Sequence, residues 1–121
     1  MRLSLLVLAG SAAGGLARFW LGAWMVWLTG PDFPWGTLLI NIAGSLVIGL
    51  AATAIPVAHS GARALVMVGL CGGFTTFSAY SLQALELLQA ERIGSALAYM
   101  AGSVLLCLAA TWLGWVLGRA V

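Results

Sequence analysis

Four stretches of about twenty apolar residues, separated by turns too short to hold any other structure, leave this chain one kind of environment. A helix must run for about 20 residues to cross the hydrocarbon of a bilayer. The first stretch runs from Leu3 to Leu28 and closes at Thr29-Gly30-Pro31-Asp32-Phe33-Pro34, a cluster of turn formers. The second runs from Trp35 to Ile55 and stops at Pro56, before the short polar segment Ala58-His59-Ser60-Gly61-Ala62-Arg63. The third runs from Ala64 to Leu88, ahead of Glu91-Arg92, and the fourth from Ile93 to Leu117, with Arg119 just outside. Hydrophobic residues make up 63% of the chain and charged ones 7%, against about 25% charged in a soluble domain. A soluble fold of 121 residues buries only about two-thirds of its unfolded surface, so it could not hide this much apolar area. The expectation is an all-α membrane protein, residues 1–121 forming a single four-helix transmembrane domain.

The remaining composition excludes more than it assigns. A formal net charge of +2, with five basic residues that are all arginine and unclustered, offers no footprint for nucleic acid. Cys71 and Cys107 fall inside apolar stretches without metal-ligand spacing and read as small buried hydrophobes. Met1-Arg2, Leu3 to Ala9 and the small residues Gly10-Ser11-Ala12-Ala13 mimic a signal peptide, but apolar character resumes through Leu16 to Leu28. One retained helix is the better reading. Four crossings put Arg2, Arg63 and Arg119 on one side and Arg92 on the other, a weak positive-inside bias. Trp24, Trp27 and Trp35 lie near span ends, where aromatic belts form, and Asp32, His59 and Glu91 read as solvated loop groups. The glycines, 16 in all, read mainly as sites of close helix approach, including Gly10, Gly14, Gly15, Gly22, Gly36, Gly44 and Gly49.

Polar residues inside the spans carry the chemistry. The third span contains Gly69-Leu70-Cys71-Gly72-Gly73-Phe74-Thr75-Thr76-Phe77-Ser78-Ala79-Tyr80-Ser81, whose paired glycines and threonines disfavour a continuous helix. A break at membrane depth is tolerated where protein, water or ions satisfy the freed backbone. Unwound carbonyls suit cations and half-helix N-termini suit anions, so the segment is an ion-site candidate, with a simple kink as the alternative. Asn41, within Gly36-Thr37-Leu38-Leu39-Ile40-Asn41-Ile42-Ala43-Gly44-Ser45, serves either as an interhelical hydrogen bond or as a pore lining. Tyr99, Ser103, Cys107 and Thr111 recur at steps of four on one helical face, as packing glue or as the wall of a wet path. Arg18 sits deep in the first span, where a charge costs at least about 2.5 kcal/mol. No carboxylate lies at matching depth, since Glu86 is near the end of the third span.

With Gly14-Gly15-Leu16-Ala17-Arg18-Phe19 and Gly72-Gly73-Phe74-Thr75-Thr76-Phe77-Ser78, these segments resemble the Fluc/CrcB family of bacterial fluoride channels along essentially the whole chain. The resemblance implies four helices per subunit with the third broken at its centre. It also implies an antiparallel, dual-topology homodimer in the bacterial plasma (inner) membrane, with two pores that export cytoplasmic fluoride passively. It assigns Gly72 and Thr75 as backbone-carbonyl ligands of a structural Na⁺ and Phe77 as a ring edge facing fluoride. Asn41 donates to the ion, Ser78 and Thr111 continue a polar track, and Tyr99 and Ser103 face the pore. Arg18 matches a buried structural arginine. Three positions depart from the pattern: Tyr80 replaces a second phenylalanine, Gln83 a glutamate, and Cys107 a serine.

Two other functions fit a chain of this size. A small dual-topology proton-coupled multidrug antiporter shares its length and four spans but needs a membrane-embedded glutamate, where the first span has Arg18. A non-transporting assembly protein would explain the glycines but not the threonine-bearing third span. No nucleotide site or catalytic constellation points to an enzyme.

Overall fold

The computed structural model describes residues 1–120. Helix α1 covers Arg2–Thr29 and α2 Trp35–Ala54. The third span, Ser60–Gln89, is composite: α3 (Ser60–Arg63), a π-wound segment (Ala64–Cys71), α4 (Gly72–Phe74) and α5 (Phe77–Gln89). Helix α6 covers Ile93–Gly118. The described residues thus form four helical spans long and apolar enough to cross a membrane, the shortest of 20 residues. At 1.5 Å per residue that is about 30 Å, the thickness of the hydrocarbon.

The segment expected as a loop from Ala58 to Arg63 is shorter than its polarity suggests, because Ser60–Arg63 is already helical. Arg63 ties this turn to α2. Its guanidinium donates to the carbonyls of Ile55 (2.8 Å) and Ala52 (3.2 Å), which the end of α2 leaves without amide partners. At the opposite end, Gly30 terminates α1 with a φ of 77° that favours glycine. The α5–α6 turn passes through Glu91 at φ 57°, with Arg92 N–H bonded to the Leu87 carbonyl and Glu91 N–H to that of Leu88. Arg92 also donates to the Asp32 carbonyl, tying this turn to the α1–α2 turn.

Two close helix pairings hold the bundle, α2 with α6 and α1 with the first half of the third span. In lipid, hydrophobicity cannot drive helices together, so backbone approach and van der Waals contact must. A Cβ on Gly49 would run into the Thr111 carbonyl, and one on Gly114 into the Leu46 carbonyl. Gly10 and Gly14 meet the Leu65 and Leu70 carbonyls in the same way. Gly15 differs: a side chain there would meet nothing within 4 Å. The buried cluster is small, built from Leu38, Ala84, Leu87, Ala96 and Tyr99. Large apolar side chains instead face outward, among them Phe19, Trp20 and Trp27 on α1 and Leu108 and Trp112 on α6. Such continuous exposed apolar surface marks contact with lipid or protein.

Candidate functional site

Helical winding stops after Phe74 and resumes at Phe77. Between them Thr75 (φ −84°, ψ 159°) and Thr76 (φ −153°, ψ 118°) are extended. The backbone groups released there are taken up locally and from α2. The Thr75 hydroxyl donates to the Cys71 carbonyl at 2.8 Å, which also receives the Thr75 amide at 2.9 Å. Thr76 caps α5, its hydroxyl oxygen accepting the Ala79 amide at 3.1 Å. Asn41 reaches across from α2 and pairs with Thr76 as one strand pairs with another. Its Nδ2 donates to the Thr76 carbonyl at 3.0 Å, and its Oδ1 accepts the Thr76 amide at 2.8 Å.

This pairing diverts donors that a continuous helix would send to two carbonyls. The Thr76 amide goes to Asn41 and not to the carbonyl of Gly72, four residues back. The Ala79 amide goes to the Thr76 hydroxyl and not to the Thr75 carbonyl. Gly72 is exposed, and a Cβ there would meet nothing within 4 Å. Two oxygens freed from the ladder, one on an open glycine surface, suit a hard cation that takes oxygen ligands. The residues present therefore fit the Na⁺ that the resemblance implies.

A cavity of about 280 Å³ adjoins the interruption, lined by Asn41, Thr75, Phe77, Tyr80, Ser103 and Cys107 together with neighbours on α2 and the π-wound segment. Its polar character comes from few atoms. The Asn41 amide has one N–H beyond the one given to Thr76. The Ser103 hydroxyl is buried and without a hydrogen-bond partner among the described residues. The Phe77 side chain is 78% exposed at the cavity edge, its ring 5.3 Å from that of Tyr80.

A second cavity, about 460 Å³, opens at the end of the bundle formed by the α1–α2 turn, and Thr37, Gln83, Glu86 and Arg92 line it. Tyr99 lines neither cavity and is wholly buried between them. Its hydroxyl donates to Gln83 Oε1 at 2.9 Å. Its ring lies 5.3 Å from Tyr80 and edge-on to Phe33 at 5.6 Å. Tyr80 is fixed by donation to the Met100 carbonyl at 3.3 Å.

Other residues singled out in the sequence fall around this centre. Ser78 is exposed beside the interruption, with its Oγ 3.2 Å from Thr76 Oγ1. Thr111 is half-buried a turn beyond Cys107 on α6 and outside the inner cavity lining. Arg18 is half-buried on α1, and among the described residues its side chain makes no hydrogen bond or ion pair. Three residues that sequence reasoning left without a role belong to the site. Thr76 caps α5, and a threonine just before a helical segment is a readable cap signal. Ser81 donates to the Phe77 carbonyl at 2.9 Å, and Cys71 lines the inner cavity; neither is marked by periodicity.

These features define a small multi-pass membrane protein with a largely apolar pocket, carrying a few polar groups, beside an irregular stretch of its third span. The model for the family described as CrcB-like protein, Camphor Resistance (CrcB), matches residues 5–115. The chain belongs to that family. It is 47% identical over 120 residues to the fluoride-specific ion channel FluC of Methylocella silvestris, covering 95% of this chain and 92% of the relative. It is 49% identical over 116 residues to the protein of the same name from Paramagnetospirillum magneticum, covering 92% and 91%. The corresponding channel of Thermus thermophilus is 47% identical over 119 residues, covering 97% and 94%.

Proposed function

We propose that this chain is a fluoride-selective channel of the bacterial inner membrane. It exports cytoplasmic fluoride passively, as an antiparallel, dual-topology homodimer of single-domain subunits with two pores. The observation that carries the reading is the inner cavity, where an asparagine N–H, a buried unpartnered hydroxyl and an aromatic ring converge beside the interrupted span. Relatives at 47–49% identity carry the name fluoride-specific ion channel, which supplies the ion.

Fluoride is small and strongly hydrated, so a selective path must replace its water with fixed donors at several weak sites. Asn41 and Ser103 offer an N–H and an O–H. Phe77 offers the electropositive ring edge, since the aromatic quadrupole is negative on its face and positive at its rim. Tyr80 keeps the neighbouring ring edge while its hydroxyl is held by Met100. Ser78 and Thr111 continue the path on either side, and Tyr99 with Gln83 separates the inner cavity from the outer one. The outer cavity, lined by Arg92 together with Asp32 and Glu86, forms the mouth. Hydrogen fluoride that enters from acidic surroundings dissociates inside, and the ion leaves down its gradient.

The interruption of the third span would also hold the dimer. Gly72 and Thr75 would present their carbonyls to a structural Na⁺ shared by two crossing third spans. The open surface at Gly72 supports a second copy there, and Arg18, unpaired within one subunit, is assigned a structural role. The proton-coupled antiporter is disfavoured because no carboxylate lines the inner cavity among the described residues, and Glu86 belongs to the outer one.

Purified protein reconstituted into fluoride-loaded liposomes tests the reading. Rapid fluoride release without chloride release, lost after Phe77→Ile and weakened by removing Na⁺ during purification, is the expected result. Proton-coupled efflux of a lipophilic cation, or no fluoride release at all, would overturn it.

A further inference from the structure

Both cysteines of the chain, on different spans, line the same inner cavity. Cys71 is buried at the end of the π-wound segment, Cys107 is half-buried on α6, and both are free thiols. Ser103, one turn before Cys107, adds a buried hydroxyl with no hydrogen-bond partner. Neither thiol is needed for the anion path: Asn41, Ser103 and Phe77 supply its donors.

Two thiols lining one cavity have a chemistry of their own. Thiolate sulfur is a soft ligand that selects soft cations over hard ones. We propose that this cavity is also a binding site for a soft, thiophilic monovalent cation of the silver(I) or copper(I) class. Cys71 and Cys107 hold the ion, and its occupancy closes the pathway. Each thiol gives a sulfur lone pair to the metal and releases its proton to water, with no change of oxidation state. The cavity, at about 280 Å³, has room for a single ion beside the two thiols that line it. Closure rests on reading the cavity as the pore. Binding does not.

Silver nitrate in chloride-free buffer is the probe, used on the full chain in two arms. Intact-mass measurement of the detergent-solubilised protein should find one silver ion retained per chain. Retention should fall at least tenfold in Cys107→Ser, a near-isosteric change, and again in the Cys71→Ala/Cys107→Ser double variant. In liposomes, micromolar silver should cut fluoride efflux of the parent at least tenfold, and efflux of Cys107→Ser and of the double variant far less, each scored against its own uninhibited rate. Undiminished silver retention in the double variant, or equal block by Zn²⁺, overturns the site. Retention without block overturns closure alone. If no form releases fluoride, the channel reading has failed, and the mass arm still decides the binding site.

Discussion

Replacing Asn41 by alanine removes both hydrogen bonds that α2 makes to the interruption. The Thr76 amide loses its acceptor at 2.8 Å and the Thr76 carbonyl its donor at 3.0 Å. An unsatisfied buried polar group costs about 1–3 kcal/mol, so two together cost about 2–6 kcal/mol. Lipid offers no water to compensate, and partial exposure of the site within one subunit pulls toward the lower end. Against a total stability of about 5–15 kcal/mol, that loss is large. The freed Thr76 amide could then return to the Gly72 carbonyl and rewind the helix, which would also turn Phe77 away from the cavity. Thermal unfolding followed by tryptophan fluorescence, paired with liposome fluoride efflux, reads both effects. Asn41→Asp separates the two bonds, because a carboxylate still accepts the Thr76 amide but cannot donate to its carbonyl. It should retain part of the stability and still lose flux. Asn41→Ala within about 0.5 kcal/mol of the parent, the scale of an ordinary surface change, would refute the pairing as the brace of the interruption.

Other expectations follow from the same geometry. Phe77→Ile should leave thermal stability nearly unchanged in the isolated subunit, because the side chain is 78% exposed, while abolishing fluoride efflux. Gly49→Ala and Gly114→Ala place a methyl against the Thr111 and Leu46 carbonyls on the most extensive helix pairing, so each should cost about 1–3 kcal/mol or more in unfolding experiments. Gly15→Ala, facing open space, is the matched control and should be near neutral in the single subunit. Gln83→Leu leaves the buried Tyr99 hydroxyl without its acceptor, at about 1–3 kcal/mol. It should also change the efflux rate if Tyr99 divides the two cavities, whereas Tyr99→Phe should restore stability to that variant. Arg63→Ala uncaps the end of α2 and should raise hydrogen exchange at the amides of the α2–α3 connection.

The four spans and the turn after α1 were legible in the chain, because each is a local property. Twenty apolar residues in a row or a Gly-Pro turn act locally, and the backbone responds there. The loop before the third span was the exception. Ser60–Arg63 looked like loop by polarity, yet it winds, with Arg63 reaching back to the end of α2. The family motifs brought forward Asn41 and Phe77, and the four-residue polar stripe Ser103, but not what they touch. Asn41 had two open readings, interhelical hydrogen bond or pore lining; the structure shows the hydrogen bond to Thr76 and puts the residue on the inner cavity. Tyr99 shares a face with Ser103 and Cys107, yet it is wholly buried and does not join the cavity wall.

What the tertiary structure decided has one physical origin. A helix in water shows its inner face by the contrast between apolar and polar sides, but in lipid both faces are apolar and that contrast vanishes. The rotation of each helix is then set by where glycines let backbones touch, as Gly49 does at Thr111 and Gly10 at Leu65. Those contacts bring Asn41 to Thr76, leave Gly72 and Thr75 with freed carbonyls, and turn two cysteines on separate spans toward one cavity. None of these is a property of neighbouring residues, so periodicity could locate the spans but not the partners across them.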